Sequence, residues 1–475
     1  MAFSWSIFVD LGIIAVALLA STALRVRIRF LQRFLVPNAL TAGVLLLPLY
    51  NFVLPYVGMT SENLQMLTYH LLSIAFVAMA IRPSAPGGEK GDGRIFGTSV
   101  SIIAQFAVQT AIGLLLTLLL IRTILPDLYH SFGFLLPLGF SQGPGQALSI
   151  GKGWESAGIQ GAGSVGLTFA AVGFLLSCAG GVFLINYGLR HGWVSEEEAG
   201  VLQTERVKTG VYRKGSRPVG SYLTTESEAI DSMTFNTAMV LVSYLLAFLL
   251  LTGLEAALSQ IGPLGSDLAT NLWGISFIFA AMMALVVKQI MRGLGLEYLL
   301  ETHTLNRLSG LSVDIMVAAG IGAISLVVVL EYLVPILLLS VVGAGAVFAI
   351  VPWMCSRIFR DTQHRFIRTL LIFGVTTGTL TTGLALVRVL DPDFETPVAN
   401  DYAYATGLTF MLVIPLILTI NLPVMTWQTG NMVYFWITMA VVAGYLIFAA
   451  ISYLFIARER AFKKRFSVWL ERSKD

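Results

Sequence analysis

The chain has 475 residues, of which 56% are hydrophobic and only 12% charged, with a formal net charge of +3. Soluble globular domains carry about 25% charged residues, so this composition excludes a soluble fold. The 30 Lys and Arg are dispersed along the chain rather than gathered on one face or domain, which also excludes a nucleic-acid partner.

A membrane-crossing helix needs about 20 mostly apolar residues. In chain order the apolar runs predict spans at 5–24, 36–55, 64–81, 95–124 and 161–189, then 236–260, 271–290, 311–331, 333–354, 401–422 and 432–457. Of the 30 basic residues, 27 lie in six connections: 25–36, 82–94, 190–232, 288–307, 355–368 and the tail 458–475. These are every second connection, the pattern expected when basic loops stay on the cytoplasmic side. The first six residues hold no positive charge, and Arg25, Arg27, Arg29 and Arg33 follow the first run. A first helix inserted with its N-terminus outside is therefore expected rather than a cleaved signal peptide. Eleven spans then place the tail inside, in a bacterial inner membrane. The polar stretch 190–232 reads as a cytoplasmic linker between 1–189 and 233–425, with 426–475 an added helix and basic tail.

Two apolar segments fit no simple span. One is 131–153 and the other about 367–388; both are rich in Gly with Ser, Thr or Gln, a poor composition for continuous helix. Each follows the fourth span of its half, and crossing the bilayer would put the later charges on the wrong sides. Glycine-rich re-entrant hairpins satisfy the charge pattern, the first dipping in from outside and the second from inside. Gly166-Leu167-Thr168-Phe169 recurs as Gly407-Leu408-Thr409-Phe410, 241 residues later, and Gly143 and Gly378 hold comparable places 235 residues apart. Five spans per half reverse the direction of the second copy. The expected fold is thus an all-α polytopic membrane protein of two inverted five-helix repeats, each with a re-entrant hairpin, plus one extra C-terminal helix. Inverted repeats with broken helices meeting near the midplane are characteristic of secondary transporters.

Unwound backbone at membrane depth is tolerated where it is buried in protein or lines a wet cavity. Its carbonyls and hydroxyls can replace the water around a cation, and half-helix N-termini attract a carboxylate. Ser141, Gln142, Gly143, Gln146, Thr379, Thr381 and Thr382 are the candidate substrate contacts, and Thr376, Thr377 and Gly378 the candidate sodium ligands. Close helix packing through small polar residues is the competing explanation. Arg388 ends the second segment, and its planar fork suits a carboxylate. A local ion pair with Asp391, Asp393 or Glu395 is the other reading. Lys152 with Glu155 reads as the aqueous mouth of the first hairpin. Asp10, Glu255, Asp314 and Glu331 sit within or at the ends of spans, where most acids reach the interface, although Asp314 suits coupling-ion chemistry. Asp401 or Asn400 suits a helix N-cap.

Other patterns carry less. Cys178 and Cys355 are expected as small packing residues, and the five histidines show no paired-ligand spacing. Gly139-Phe140-Ser141-Gln142-Gly143 matches the GxSxG elbow of serine hydrolases but lacks the strand-turn-helix context. His70 is the one plausible intramembrane base for that remote alternative. Gly161 to Gly166 matches GxGxxG without a surrounding βαβ unit, so helix packing explains it better.

Val36-Pro37-Asn38-Ala39-Leu40-Thr41-Ala42-Gly43, Phe140 to Ala147 and Gly374 to Gly383, with the layout of nearly the whole chain, resemble the bacterial sodium/glutamate symporter family. The 2-hydroxycarboxylate (citrate) transporters are more distant relatives. Differences are local. Ser141-Gln142-Gly143-Pro144-Gly145 stands where that family has adjacent glycines before His-Gly, and the second loop is threonine-rich with Arg388 and DPDFE after it. The resemblance implies sodium-coupled symport of glutamate or a related anionic amino acid or carboxylate, by an elevator movement of the hairpins across a scaffold. It implies a homodimer in the lipid bilayer, and no cofactor beyond sodium as coupling ion. A sodium- or proton-coupled carrier of another organic anion or amino acid is the near alternative.

Overall fold

The computed structural model describes residues 5–34, 36–83, 93–194, 209, 211, 219–260, 269, 272–359, 364–391, 396–464 and 466–470, without the side chains of Thr381, Asn400, Ala403, Phe410 and Ile414. Most of the linker 190–232 and most of the DPDFE stretch therefore lie outside the described residues. Every regular element among the described residues is helical, and ten helices are long and apolar enough to cross a membrane. The chain is an all-α, multi-pass membrane protein. No water is available in hydrocarbon to pair N–H and C=O groups, so apolar runs of this length satisfy their backbone internally as helices.

The first half runs α1 (Ser6–Arg27), α2 (Arg29–Arg33), α3 (Asn38–Pro48), α4 (Glu62–Ala80) and α5 (Arg94–Thr123). Two short helices follow, α6 (Leu135–Gln142) and α7 (Pro144–Ser156), and then α8 (Ala162–Arg190). The second half runs α9 (Ser232–Ser259), α10 (Ser276–Gly293), α11 (Thr302–Gly322), α12 (Leu326–Glu331) and α13 (Leu333–Ile358). A second short pair, α14 (Arg365–Thr377) and α15 (Leu380–Leu390), precedes α16 (Val398–Leu418), α17 (Leu422–Thr429) and α18 (Val433–Ala457).

The helices form two bodies. In one, α4 packs most extensively on α11, α3 lies on α11, α10 on α4, and α1 and α9 flank α3 and α10. In the other, α5 contacts α13, α16 and α18, while α6 and α7 pack on α8 and α14 packs on α13, α15 and α8. The short helix α7 reaches across to α4 and α11. Burial follows this plan: two thirds (67%) of the most apolar window of α5 is buried, against 22% for α1, α9 and α18. Helices apolar all round with little protein cover present those faces to lipid.

Local sequence sets the breaks. Pro48 and Pro55 lack donors, and between them α3 loosens into a π turn (Leu49–Val53) and a 3₁₀ turn (Leu54–Val57). Asn51 uses that opening. Its Nδ2 donates to Leu47 O and Ile324 O, both at 2.9 Å, and its Oδ1 accepts from Leu326 N at 3.0 Å. Asp10, expected at the interface, is instead buried and accepts hydrogen bonds from Tyr50 Oη and from Asn63 Nδ2.

One span differs from its sequence reading. The expected helix at 311–331 is α11, which begins at Thr302, stops at Gly322 and restarts as α12; it is not among the ten sufficiently apolar helices. Its first turns carry polar and charged residues such as Arg307, while Met316 to Gly322 is buried throughout, so α4 and α3 rather than lipid surround its apolar half. The lead-in to the span expected at 271–290 lies partly outside the described residues, and α10 itself starts at Ser276.

Glu301 begins α11 from the N-cap, its carboxylate accepting from His303 N at 3.0 Å and from Thr304 N. Desolvation pushes this carboxyl up, but hydrogen bonds from Thr304 and His303 outweigh it and hold it below its ordinary value. Glu301→Ala is expected to cost about 1 kcal/mol, read as a lower Tm in detergent. Because the folded-state value is depressed, the gap between parent and variant is full above the carboxyl's ordinary value. It closes as pH falls through the depressed one.

Candidate functional site

The two short helix pairs meet tip to tip. Between α6 and α7 the one non-helical residue is Gly143, at φ +83° and ψ −178°, a conformation that L side chains rarely adopt. Pro144 then starts α7 at the position where a missing N–H is harmless. The break between α14 and α15 is Gly378 and Thr379. A Cβ built on Gly143 would stand 2.6 Å from Thr379 Cγ2 and 3.9 Å from Gly378 O. The breaks are therefore in contact, and four half-helix ends converge on them. Outside these tips both segments are well-formed helix, so less backbone is unwound than their glycine content predicts.

A residue that the sequence reading passed over ties the tips together. Gln109, fully buried on α5, donates from Nε2 to Thr376 O at 2.9 Å. Its Oε1 lies 2.9 Å from the Ser141 hydroxyl, which also stands 3.2 Å from Thr376 O. One carboxamide thus bridges the end of α6 and the end of α14. Ser177 on α8 reaches Gly374 O at 3.4 Å, and Gly173 lies so close to Thr377 O that a built Cβ would be 2.5 Å away. The second tip also holds itself. Thr382 Oγ1 accepts from Thr379 N at 2.9 Å and lies 3.0 Å from Gly374 O and 2.8 Å from Thr379 O, closing a capping box with the Thr379 side chain.

The sequence candidates divide on this geometry. Ser141, Gly143, Thr376, Thr377, Gly378, Thr379 and Thr382 lie at the meeting point. Gln142 is half-buried beside Gly143, and Gln146 is buried in the first turn of α7. Thr376 and Thr377 turn their hydroxyls back onto their own helix, donating to Ile372 O and Phe373 O at 2.7 Å. The Thr381 side chain lies outside the described residues. Arg388 is not brought to the tips. It is exposed in the last turn of α15, nine residues beyond Thr379 and so about 13 Å away along the axis.

The buried cations lie elsewhere. Arg368 at the start of α14 pairs with Asp401 Oδ2 at 2.7 Å, and Arg94 Nε stands 3.9 Å from the same oxygen. Asp401 is thus not the N-cap expected of it: α16 begins at Val398, and the carboxylate in its first turn draws α5, α14 and α16 together. Lys152 and Glu155 form an ion pair at 2.6 Å, and Glu155 Oε1 also accepts from Gly163 N at 3.0 Å, so the pair fastens α7 to α8. His70 Nδ1 lies 2.7 Å from Tyr244 Oη in the other helical body, and the partners shown for Ser141 are Gln109 and Thr376. Cys178 and Cys355 are free and buried. Among the described residues no cluster of three or more His, Cys, Asp or Glu side chains is arranged to hold a metal ion.

Comparison with protein-family models, curated proteins and solved structures finds no match for this chain. The site therefore rests on its own geometry. What that geometry offers is the carbonyl ends of α6 and α14 against the N–H ends of α7 and α15. Carbonyls and hydroxyls suit a hard cation, and converging N–H groups suit an anion.

Two substitutions test the junction. Gly143→Ala forces an L residue into a positive-φ, extended-ψ conformation open essentially to glycine alone and a methyl against Thr379, and is expected to cost about 1–3 kcal/mol from the backbone alone, read as a Tm loss. Gln109→Leu removes a bridge from buried acceptors and is expected to cost about 1–3 kcal/mol. Ser141→Ala, which leaves Gln109 its bond to Thr376, should cost less than Gln109→Leu by the same measurement.

Proposed function

We propose that this chain is a sodium-coupled secondary symporter of glutamate or a related anionic amino acid or carboxylate. The observation that carries the reading is the tip-to-tip meeting of two broken helix pairs, bridged by Gln109. Broken helices that meet in the protein interior place carbonyl and N–H ends where an ion and a carboxylate can be held together.

Inverted five-helix repeats, 1–189 and 233–425, account for the layout. The elements match in order: α1 with α9, α3 with α10, α4 with α11, α5 with α13, α6 and α7 with α14 and α15, and α8 with α16. Contacts pair in the same way, α3 on α11 answering α10 on α4, and α1 on α3 answering α9 on α10. The hairpins are then re-entrant, from outside for 131–153 and from inside for 367–388. The basic connections support an N-terminus outside with the linker and tail in the cytoplasm, and this reading takes the membrane to be a bacterial inner membrane. The body of α1, α3, α4 and α9 to α11 serves as scaffold, by which a homodimer would also assemble. The other body carries the site in an elevator movement.

In this reading the Thr376–Gly378 backbone and hydroxyls take sodium, Ser141 giving its one proton to Gln109 Oε1 so that Thr376 O keeps a lone pair for the ion beside the Gln109 bond that holds the tips together. The starts of α7 and α15, with Ser141, Gln142, Gln146, Thr379, Thr381 and Thr382, take the substrate. The exposed place of Arg388 favours these N–H groups over its guanidinium as the carboxylate contact. For the serine-hydrolase alternative, the pairing of His70 with Tyr244 offers Ser141 no base.

Purified protein in liposomes is expected to take up radiolabelled glutamate saturably under an inward sodium gradient, and not when potassium replaces sodium. Gln109→Leu should reduce that uptake at least tenfold while still melting cooperatively. Arg388→Ala should leave substrate affinity within about twofold; a tenfold loss would return the carboxylate to Arg388. Absence of uptake with glutamate, followed by sodium-dependent thermal shifts with other carboxylates, would reject the substrate and keep the site.

A further inference from the structure

The segment after α18 has two unlike sides. Its inner side is fixed. Arg357, fully buried at the end of α13, donates to Lys464 O at 2.9 Å, Ser467 O at 3.0 Å and Lys463 O at 3.3 Å, and lies 4.5 Å from the Trp353 ring centroid. Tyr453 Oη donates to Ala461 O at 2.7 Å. Trp469 is buried, stacked on Trp193 at 4.7 Å and 11°, edge-on to Phe366 at 5.8 Å, and covered by Arg365 at 4.9 Å. Arg365 and Phe366 open α14, so this segment clamps the foot of the second helix pair to α13 and to the end of α8.

The outer side has the opposite character. Phe462 is 70% and Phe466 91% exposed, and Lys463 and Lys464 are exposed between them. Phe462, Lys464, Phe466 and Ser467 line one open groove. By sequence, 458–470 carries five Lys and Arg against one acid, Glu459. Two non-glycine residues, Arg458 at φ 48° and Lys464 at φ 45°, take left-handed backbone within this short stretch. Such outliers persist where surrounding contacts over-determine them; here Arg357 holds the carbonyls of Lys463 and Lys464.

Position decides the occupant. The apolar body of α18 ends at Ala457, so the groove opens within a few residues of the bilayer edge. At that depth aromatic rings favour the headgroup level, and lysines extend to lipid phosphates. We propose that 458–464 with 466–470 is an anionic-lipid strap: the groove of Phe462 and Phe466 takes a phospholipid whose phosphate is bound by Lys463 and Lys464, while Arg357 and Trp469 pass that anchorage to the foot of α14. A strap of this kind links the second helix pair to leaflet charge, which is highest where anionic lipids are enriched. The proposal rests on the bilayer-embedded reading of the chain and not on its substrate.

The test reads lipid contact directly, so it stands apart from any transport assay. Val468→Cys, exposed beside the groove, is introduced into the full chain and labelled with an environment-sensitive fluorophore, the two native cysteines being buried. The protein is placed in phosphatidylcholine nanodiscs containing equal mole fractions of spin-labelled phosphatidylglycerol or spin-labelled phosphatidylcholine. The anionic lipid is expected to quench at least twofold more. Lys463→Gln with Lys464→Gln should bring that ratio to one, and Phe462→Ser with Phe466→Ser should weaken quenching by both lipids, at an unchanged Tm. Equal quenching in the parent, or a preference that survives the lysine substitutions, overturns the proposal. So does loss of the preference when soluble glycerol phosphate is added in excess, since the ligand would then be a headgroup phosphate free in solution.

Discussion

The absence of water in the bilayer core is the constraint on which the rest of this structure depends. Long helices meet it by pairing every backbone group within themselves. Among the described residues Gly143 and Gly378–Thr379 interrupt that pairing, as does the gap between α11 and α12 that Asn51 fills, and side-chain hydrogen bonds gather at the two tips. Gln109, Ser141, Ser177 and Thr382 supply hydrogen bonds at the tips, while close glycine contacts let the surrounding backbones approach. A Cβ on Gly113 would come within 2.1 Å of Gly133 O, and one on Gly151 within 2.6 Å of Gly163 N. The glycines that look like helix-weakening residues in sequence are in these places the condition for burying the broken segments at all.

That constraint explains what was legible beforehand. Spans and breaks are written locally, in runs of apolar residues and in clusters of Gly, Pro and Thr, so most spans and the two segments that contain the breaks, 131–153 and about 367–388, could be read directly. The helix at 311–331 was displaced for a related reason. A run that buries its apolar half against α4 and α3 need not be apolar along its whole length, so a hydropathy window misplaces it.

The candidate site was legible in composition and not in geometry. Gln109 is one of two amides in a long apolar helix, and its partner at Thr376 lies 267 residues away, so only tertiary contact reveals its place. Its spacing from Gln105 on α5 was a weak signal, since two buried amides one turn apart are costly in an apolar helix. Arg388 shows the converse. Residue type suggested a carboxylate partner, but depth along α15 and the face it presents decide its surroundings, and neither is fixed by a charge count. Asp401 was misread for the same reason, since its partner Arg368 stands on a helix 33 residues earlier.

The buried arginines complete the logic of the second helix pair. Two short helices broken at Gly378–Thr379 hold less of their own length together than one long helix does, so contacts at their outer ends fix their position. Arg368 with Asp401 ties the first turn of α14 to α16, and Arg365 under Trp469 ties it to the segment after α18. The first pair needs less, because α6 and α7 lie along α8 and the Lys152–Glu155 pair fastens the far end of α7. The added helix α18 packs on α5 and α13 in the body that contains both tips, so it lengthens that body rather than the one built on α4 and α11. Its tail therefore lies against the body that contains the tips.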